Sequence, residues 1–218
     1  GRFMELDLSA RRNLELTATM RENKKHGSLL WVLDRTRTAM GGRMLRAWLE
    51  RPLLSVAAIN RRLSAVDALV KDSINREELV LALAGINDME RLIGRVVYGS
   101  AGGRDLASLR ASMAKLPDLK DKLAPFAAGR LGELYRDLDL LEDVYQLLCE
   151  AIVDEPPFSV REGGFIRPGY NKDVDRYHDI LSGGKSVIAE VENREKEKTG
   201  IKSLKVGYNK VFGYYIEV

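Results

Sequence analysis

Residues 171–200 read NKDVDRYHDILSGGKSVIAEVENREKEKTG, and this stretch decides the architecture. It contains no proline, and Val174, Leu181, Ile188 and Glu195 recur at sevenfold spacing beside Tyr177, Gly184, Val191 and Lys198, which predicts one continuous helix. Twenty-nine residues from Asn171 to Thr199 at 1.5 Å each would reach roughly 43 Å, longer than a small bundle asks of one helix. The spacing therefore predicts an arm, with Gly200 as its stop.

Working outward, the segment on the N-terminal side is rich in Leu, Ala, Arg and Glu, a composition that predicts a helical bundle. Ser55 is placed to cap a stripe made of Val56, Ile59, Leu63, Val66, Leu69 and Val70. Leu79, Leu83 and Ile86 predict a second helix, and Met89, Leu92, Ile93 and Val96 a third. Leu106, Leu109, Met113 and Leu116 predict a fourth, stopped by Pro117, while Leu138, Leu141, Tyr145, Leu148 and Ile152 predict a fifth. Pro156-Pro157 breaks this regime, and residues 158–170 read as an irregular crossing or short extended hairpin. On the other side of the arm, residues 203–208 and 214–218 cluster β-branched and aromatic residues around a short connection at 209–213, the pattern of a β-hairpin. The expected fold is thus mostly α: a multi-helix core bundle, a long helix, and a small β-hairpin at the C-terminal end. The second strand stops with nothing to cover its edge, so the chain is expected to be part of something longer.

Composition narrows the function. The chain has 218 residues, 45% of them hydrophobic, which is enough for an ordinary buried core and excludes disorder as its main description. The longest apolar stretch, residues 79–86, falls far short of the roughly 18 to 20 residues a membrane span needs. One cysteine, Cys149, and two histidines, His26 and His178, give no intramolecular disulfide and no plausible metal cluster. A reducing, cytoplasmic setting without membrane contact is expected. The net charge of +3 is too small to identify a nucleic-acid binder, so the distribution of charge has to decide.

Several motifs carry chemistry in principle. Gly183-Gly184-Lys185-Ser186 resembles the end of a phosphate-binding P-loop, but the full pattern needs a glycine where Asp179 stands and a strand where the spacing is helical. The simpler reading is a glycine-softened point in a helix, since each helical glycine costs roughly 1 kcal/mol relative to alanine. Ser112 with Lys115, and Ser182 with Lys185, match the Ser-x-x-Lys spacing of serine hydrolases, without companion signatures. Basic residues gather at Arg35, Arg37, Arg43, Arg46 and Arg51, and again at Arg194, Lys196, Lys198, Lys202, Lys205 and Lys210. The second set sets six cations against Glu195 and Glu197 and is interleaved with Tyr208 and Phe212, which suits contact with a phosphate backbone. The alternative is a solvated helix end whose cations complement its negative terminus.

Residues 33–53, Leu-Asp-Arg-Thr-Arg-Thr-Ala-Met-Gly-Gly-Arg-Met-Leu-Arg-Ala-Trp-Leu-Glu-Arg-Pro-Leu, closely resemble the core domain of the bacterial MutS family of DNA mismatch-recognition proteins. Three further blocks agree in order and spacing: residues 12–16; Gly164 with residues 169–171; and residues 195–200 leading into 204–209 and 213–216. The likeness covers essentially the whole chain. It implies a helical core domain over 1–160, a connecting segment and lever helix over 161–200, and the start of a clamp domain over 201–218. In that family the clamp touches the DNA backbone without reading bases, and levers carry nucleotide-dependent movement from a remote ATPase domain. The resemblance implies no catalytic residue, cofactor or metal in this chain, with ATP and Mg confined to an ATPase domain outside it. It makes Lys202, Lys205 and Lys210 the DNA-backbone candidates and Gly183 with Gly184 a flexible point in the lever. The implied partners are double-stranded mismatched DNA, a second copy in a homodimer, and a MutL-type repair protein. Phe3-Met4-Glu5 matches the family's Phe-x-Glu reading wedge but stands directly before the core segment, so Phe3 is expected to pack at a domain boundary. Two other classes remain open: an architectural helical module for protein contact alone, and a serine-lysine hydrolase.

Overall fold

Asp7, Ser28, Thr38, Ser55, Asp72 and Asp88 each accept a hydrogen bond from the backbone N–H three residues on. Each satisfies a donor that a helix start would otherwise leave unpaired, and so each opens a helix. In this computed structural model, which describes residues 3–126, 128–211 and 213–218, those helices are α1 (Leu8–Asn13), α2 (Leu29–Leu33), α3 (Ala39–Glu50), α4 (Val56–Lys71), α5 (Ser73–Ala84) and α6 (Met89–Val97). There follow α7 (Gly103–Met113), α8 (Leu116–Leu123), α9 (Gly129–Asp137) and α10 (Glu142–Ala151). The side chains at 180, 182 and 184–187 lie outside the described residues.

Three boundaries differ from the sequence expectation. Pro117 does not stop a helix; it stands in the first turn of α8, where its missing N–H removes a donor that has no intrahelical partner anyway. The expected fifth helix is two elements, because Leu138 is the C-cap of α9 and Leu141, at φ 55°, precedes α10. Asp139 accepts the Leu141 amide at 2.9 Å and holds that turn. Ile86 similarly falls beyond α5, whose C-cap is Gly85.

The apolar residues form two clusters. Ile86, Leu109, Met113, Leu116, Leu148, Ala151 and Ile152 are buried where α6, α7 and α10 meet. Leu79, Phe126 and Leu131 are buried among α4, α5, α8 and α9, and Leu119 on α8 touches both clusters. Arg110 on α7, only 13% exposed along its side chain, donates to the carbonyls of Leu148, Ile152 and Val153. It therefore braces the C-terminal end of α10, joining the Ile152 N–H at the Leu148 carbonyl and Arg167 at the Ile152 carbonyl. Arg43 on α3 grips Asp88 through both terminal nitrogens, at 2.8 and 2.6 Å, and also reaches Glu90.

The crossing is irregular, as its glycines and prolines suggest. Ile166 bridges Ile152, Val153 N–H donates to Phe165, and Arg167 N–H donates to Ala151. The chain then enters α11 (Lys172–Thr199). Asn171 caps its first turn, accepting from Asp173 and Val174, and the Asp175 carboxylate accepts the Gly169 N–H. Its 28 residues give a rod of roughly 42 Å. Gly200, at φ 70°, ends it in the left-handed conformation that favours glycine. Beyond it, β1 (Lys205–Asn209) and β2 (Gly213–Glu217) pair antiparallel, Tyr208 facing Tyr214 and Lys205 facing Glu217. The chain exposes 15,950 Å², where a compact monomer of this mass would expose about 10,000 Å². The excess fits a core with a projecting rod. Among the described residues, no helix is long and apolar enough to cross a membrane.

Candidate nucleic-acid interface

The basic segment around the end of α11 divides into two groups of different character. Arg194 and Lys198 pair with Glu195, and Lys196 pairs with Glu192 at 2.6 Å. These cations are neutralised along the helix, and Lys198 and Arg194 hold the Glu195 carboxyl below the usual carboxylate range. Lys202, Lys205 and Lys210 are exposed and form no ion pair among the described residues. Lys202 lies in the turn after the helix, Lys205 opens β1, and Lys210 lies in the loop at the hairpin tip. Five residues of strand put Lys205 and Lys210 roughly 17 Å apart. The three lysines thus line the hairpin from root to tip rather than forming a single patch.

The hairpin presents aromatic surface beside these charges. Tyr208 and Tyr214 meet in a tilted pair, 5.0 Å between ring centres, both largely exposed. The Tyr215 ring lies across Gly207, where an added Cβ would stand 2.6 Å from it. Gly207 therefore permits this close approach, and a side chain there would push the exposed ring aside. Phe212, read from sequence as part of the same patch, lies outside the described residues.

Glu192 carried no sequence signal and bonds the rod to the first strand of the hairpin. One carboxylate oxygen accepts the Val206 N–H at 3.1 Å and the other takes the Lys196 ammonium at 2.6 Å. Lys196, then the Val206 amide, hold its pKa below the usual carboxylate range. Leu204, 3% exposed, packs into the same junction.

The remaining sequence candidates resolve into structural roles. Ser112 is fully buried, donating to the Ser108 carbonyl and accepting the Asn87 N–H, so it is a packing hydroxyl and not an accessible nucleophile. The Gly183-Gly184-Lys185-Ser186 run falls inside α11, without the strand and turn that cradle a phosphate. An added Cβ at Gly183 would meet nothing within 4 Å; the surroundings of Gly184 and the side chains of Ser182, Lys185 and Ser186 lie outside the described residues. Phe3 pairs with Leu53 through a backbone bridge, and Met4 N–H donates to Pro52, so Phe3 is tied to the core. Of the earlier arginine group, Arg43 is held by Asp88 and Glu90 and Arg46 by Glu50.

This arrangement defines a helical scaffold that extends a rod ending in a lysine-bearing hairpin. The family model for MutS domain III matches residues 9–206, and the chain belongs to that family. It is 53% identical over 99% of its length to the DNA mismatch repair protein MutS of Alkaliphilus oremlandii, and 51% identical over 99% to that of Brevibacillus brevis. It is 50% identical over its full length to the protein of the same name from Symbiobacterium thermophilum. The chain spans about a quarter of the length of these relatives.

Proposed function

We propose that this chain is the core and lever portion of a DNA mismatch-repair protein, coupling a nucleotide-driven movement made elsewhere in the longer protein to a clamp that embraces duplex DNA. The single observation that carries this reading is the rod of 28 residues joining the helical core to the lysine-bearing hairpin. A rotation of about ten degrees at the base of a 42 Å rod displaces its far end by roughly 7 Å, the scale of opening and closing around a duplex. On this reading residues 1–160 are the core, 161–200 the connecting segment and lever, and 201–218 the beginning of the clamp. Lys202, Lys205 and Lys210 contact phosphates, and Gly183 with Gly184 forms a flexible point in the lever. The chain itself is non-catalytic and needs no cofactor, ATP and Mg belonging to the ATPase part of the longer protein. That protein acts in the cytoplasm as a homodimer on mismatched duplex and meets a MutL-type partner.

Titration with matched and mismatched duplexes at two ionic strengths tests the DNA role. Expected are weak binding at low salt, no preference for the mispair, and a salt dependence that falls by close to one unit of log slope for each lysine removed from Lys202, Lys205 and Lys210. Binding unchanged in the triple alanine variant would remove those residues from the interface, and a clear mispair preference would place base reading in this chain. The architectural alternative draws on one observation, the exposed apolar side chains of Val56, Leu63, Val66 and Val70 along α4. It predicts no duplex binding at any salt.

A further inference from the structure

The junction between rod and hairpin is held by unlike devices on its two sides. Gly200 turns the chain by backbone conformation, and Leu204 fills the corner with a buried side chain. Neither sets a specific angle for the strands, because one left-handed glycine and non-directional apolar burial constrain the orientation of a two-stranded ribbon only weakly. The angular constraint comes from Glu192, fourteen residues before the strand it holds, through its bond to the Val206 N–H. Lys205, Gly207 and Asn209 stand opposite Glu217, Tyr215 and Gly213 in the ladder. Val206 turns its amide to the outer edge of β1, the side that an unpartnered strand leaves open.

Lys196 takes the other carboxylate oxygen from one helical turn further along. It thereby sets the Glu192 rotamer, and the nearby Lys205 charge also favours the ionised form. An ionised acceptor makes a stronger bond to a backbone amide than a neutral one.

We infer that Glu192 is a positioning residue that locks the first hairpin strand to the end of the rod, so that rod and hairpin move as one rigid body. Its consequence for DNA rests on the lever reading above, whereas the lock itself does not.

The test uses the intact protein with spin labels at Glu190→Cys on the rod and Val211→Cys at the hairpin tip, with Cys149→Ser removing the native thiol of this chain. Both positions are exposed. With Glu192 present the distance distribution is narrow. Glu192→Ala broadens it about twofold, and Glu192→Gln, which keeps an oxygen for the Val206 amide, restores most of the narrowness. Amide exchange supplies a second reading that separates the lock from general destabilisation. In the alanine variant exchange at Val206 rises about tenfold while Gly207, paired within the sheet, changes much less. A narrow distribution in Glu192→Ala, a glutamine variant as broad as alanine, or equal loss of protection at Val206 and Gly207 overturns the inference. Duplex titration of unlabelled protein reports on the lever reading by itself, so the two fail separately.

Discussion

The helical core and the arm use the same helix-forming rules to opposite ends. In the core, helices of 5 to 16 residues supply side chains to two buried clusters and are tied by long-range side chains such as Arg110 and Arg43. In the arm, one helix of 28 residues leaves Val174, Tyr177 and Leu181 exposed and relies on contacts within itself, a cap at each end and Glu192. An isolated helix gains most of its stability in proteins from packing, so the arm should be the softer part and the core the reference body against which it moves.

The largest expected effect is in the core. Arg110→Ala removes three guanidinium hydrogen bonds in a part-buried setting, leaving Leu148 with the Ile152 N–H and Ile152 with Arg167 but the Val153 carbonyl without another donor among the described residues, and should cost about 3 kcal/mol in chemical denaturation. A loss below about 1 kcal/mol would show that water replaces the guanidinium and that the core is less tightly stapled than described.

Acid should loosen the core next. Hydrogen bonds from Arg43 lower the Asp88 pKa from 3.8 to about 2, and those from Lys25 and Thr36 do the same for Asp34. Both carboxyls are depressed in the folded state, so their contribution is fully present above about pH 4 and is lost as pH falls through about 2. A stability profile followed from pH 5 to pH 2 should fall, and Asp88→Asn should flatten part of the fall. A profile unaffected by that substitution would remove the Arg43–Asp88 link from the account.

A smaller effect, of opposite sign, is expected in the arm. Replacing Gly183 and Gly184 by alanine adds helix propensity worth roughly 1 kcal/mol at each position, with open space at Gly183 for the new methyl. Helix content by circular dichroism should rise, and in the longer protein the response of DNA binding to ATP should weaken. Unchanged coupling would sink the flexible point while leaving the rod intact.

What was legible in the sequence was local. Ser55 as a cap, the length of α11 and its stop at Gly200 depend on residues within a few positions of one another, and the structure shows each of them. The stripe read along α4 does not face the core: Val56, Leu63, Val66 and Val70 are exposed, and Ala65, Ala68 and Leu69 pack on the cluster instead. The turns from α7 to α8 and from α9 to α10 were misread because Pro117 and Leu141 have two local uses, and tertiary packing selects between them. Helices α1 to α3 were not read from periodicity; α1 and α2 are only six and five residues long, too short for a stripe to register. At the hairpin, the lysines were visible as charges, but the neutralisation of Arg194, Lys196 and Lys198 required knowing that Glu195 takes two cations and that Glu192 takes Lys196 one turn on. Glu192 was invisible because its function lies in a bond to a backbone amide on another element.

The central claim is that the rod carries movement from the core to the hairpin. Its most direct test is the distance between labels on the core, at exposed Val97, and on the hairpin tip, at Val211, measured in the full-length protein with and without ATP. The account predicts a change of several ångströms, near the roughly 7 Å expected for a ten-degree rotation of the rod. An unchanged distance, with ATP still altering DNA binding, would contradict it.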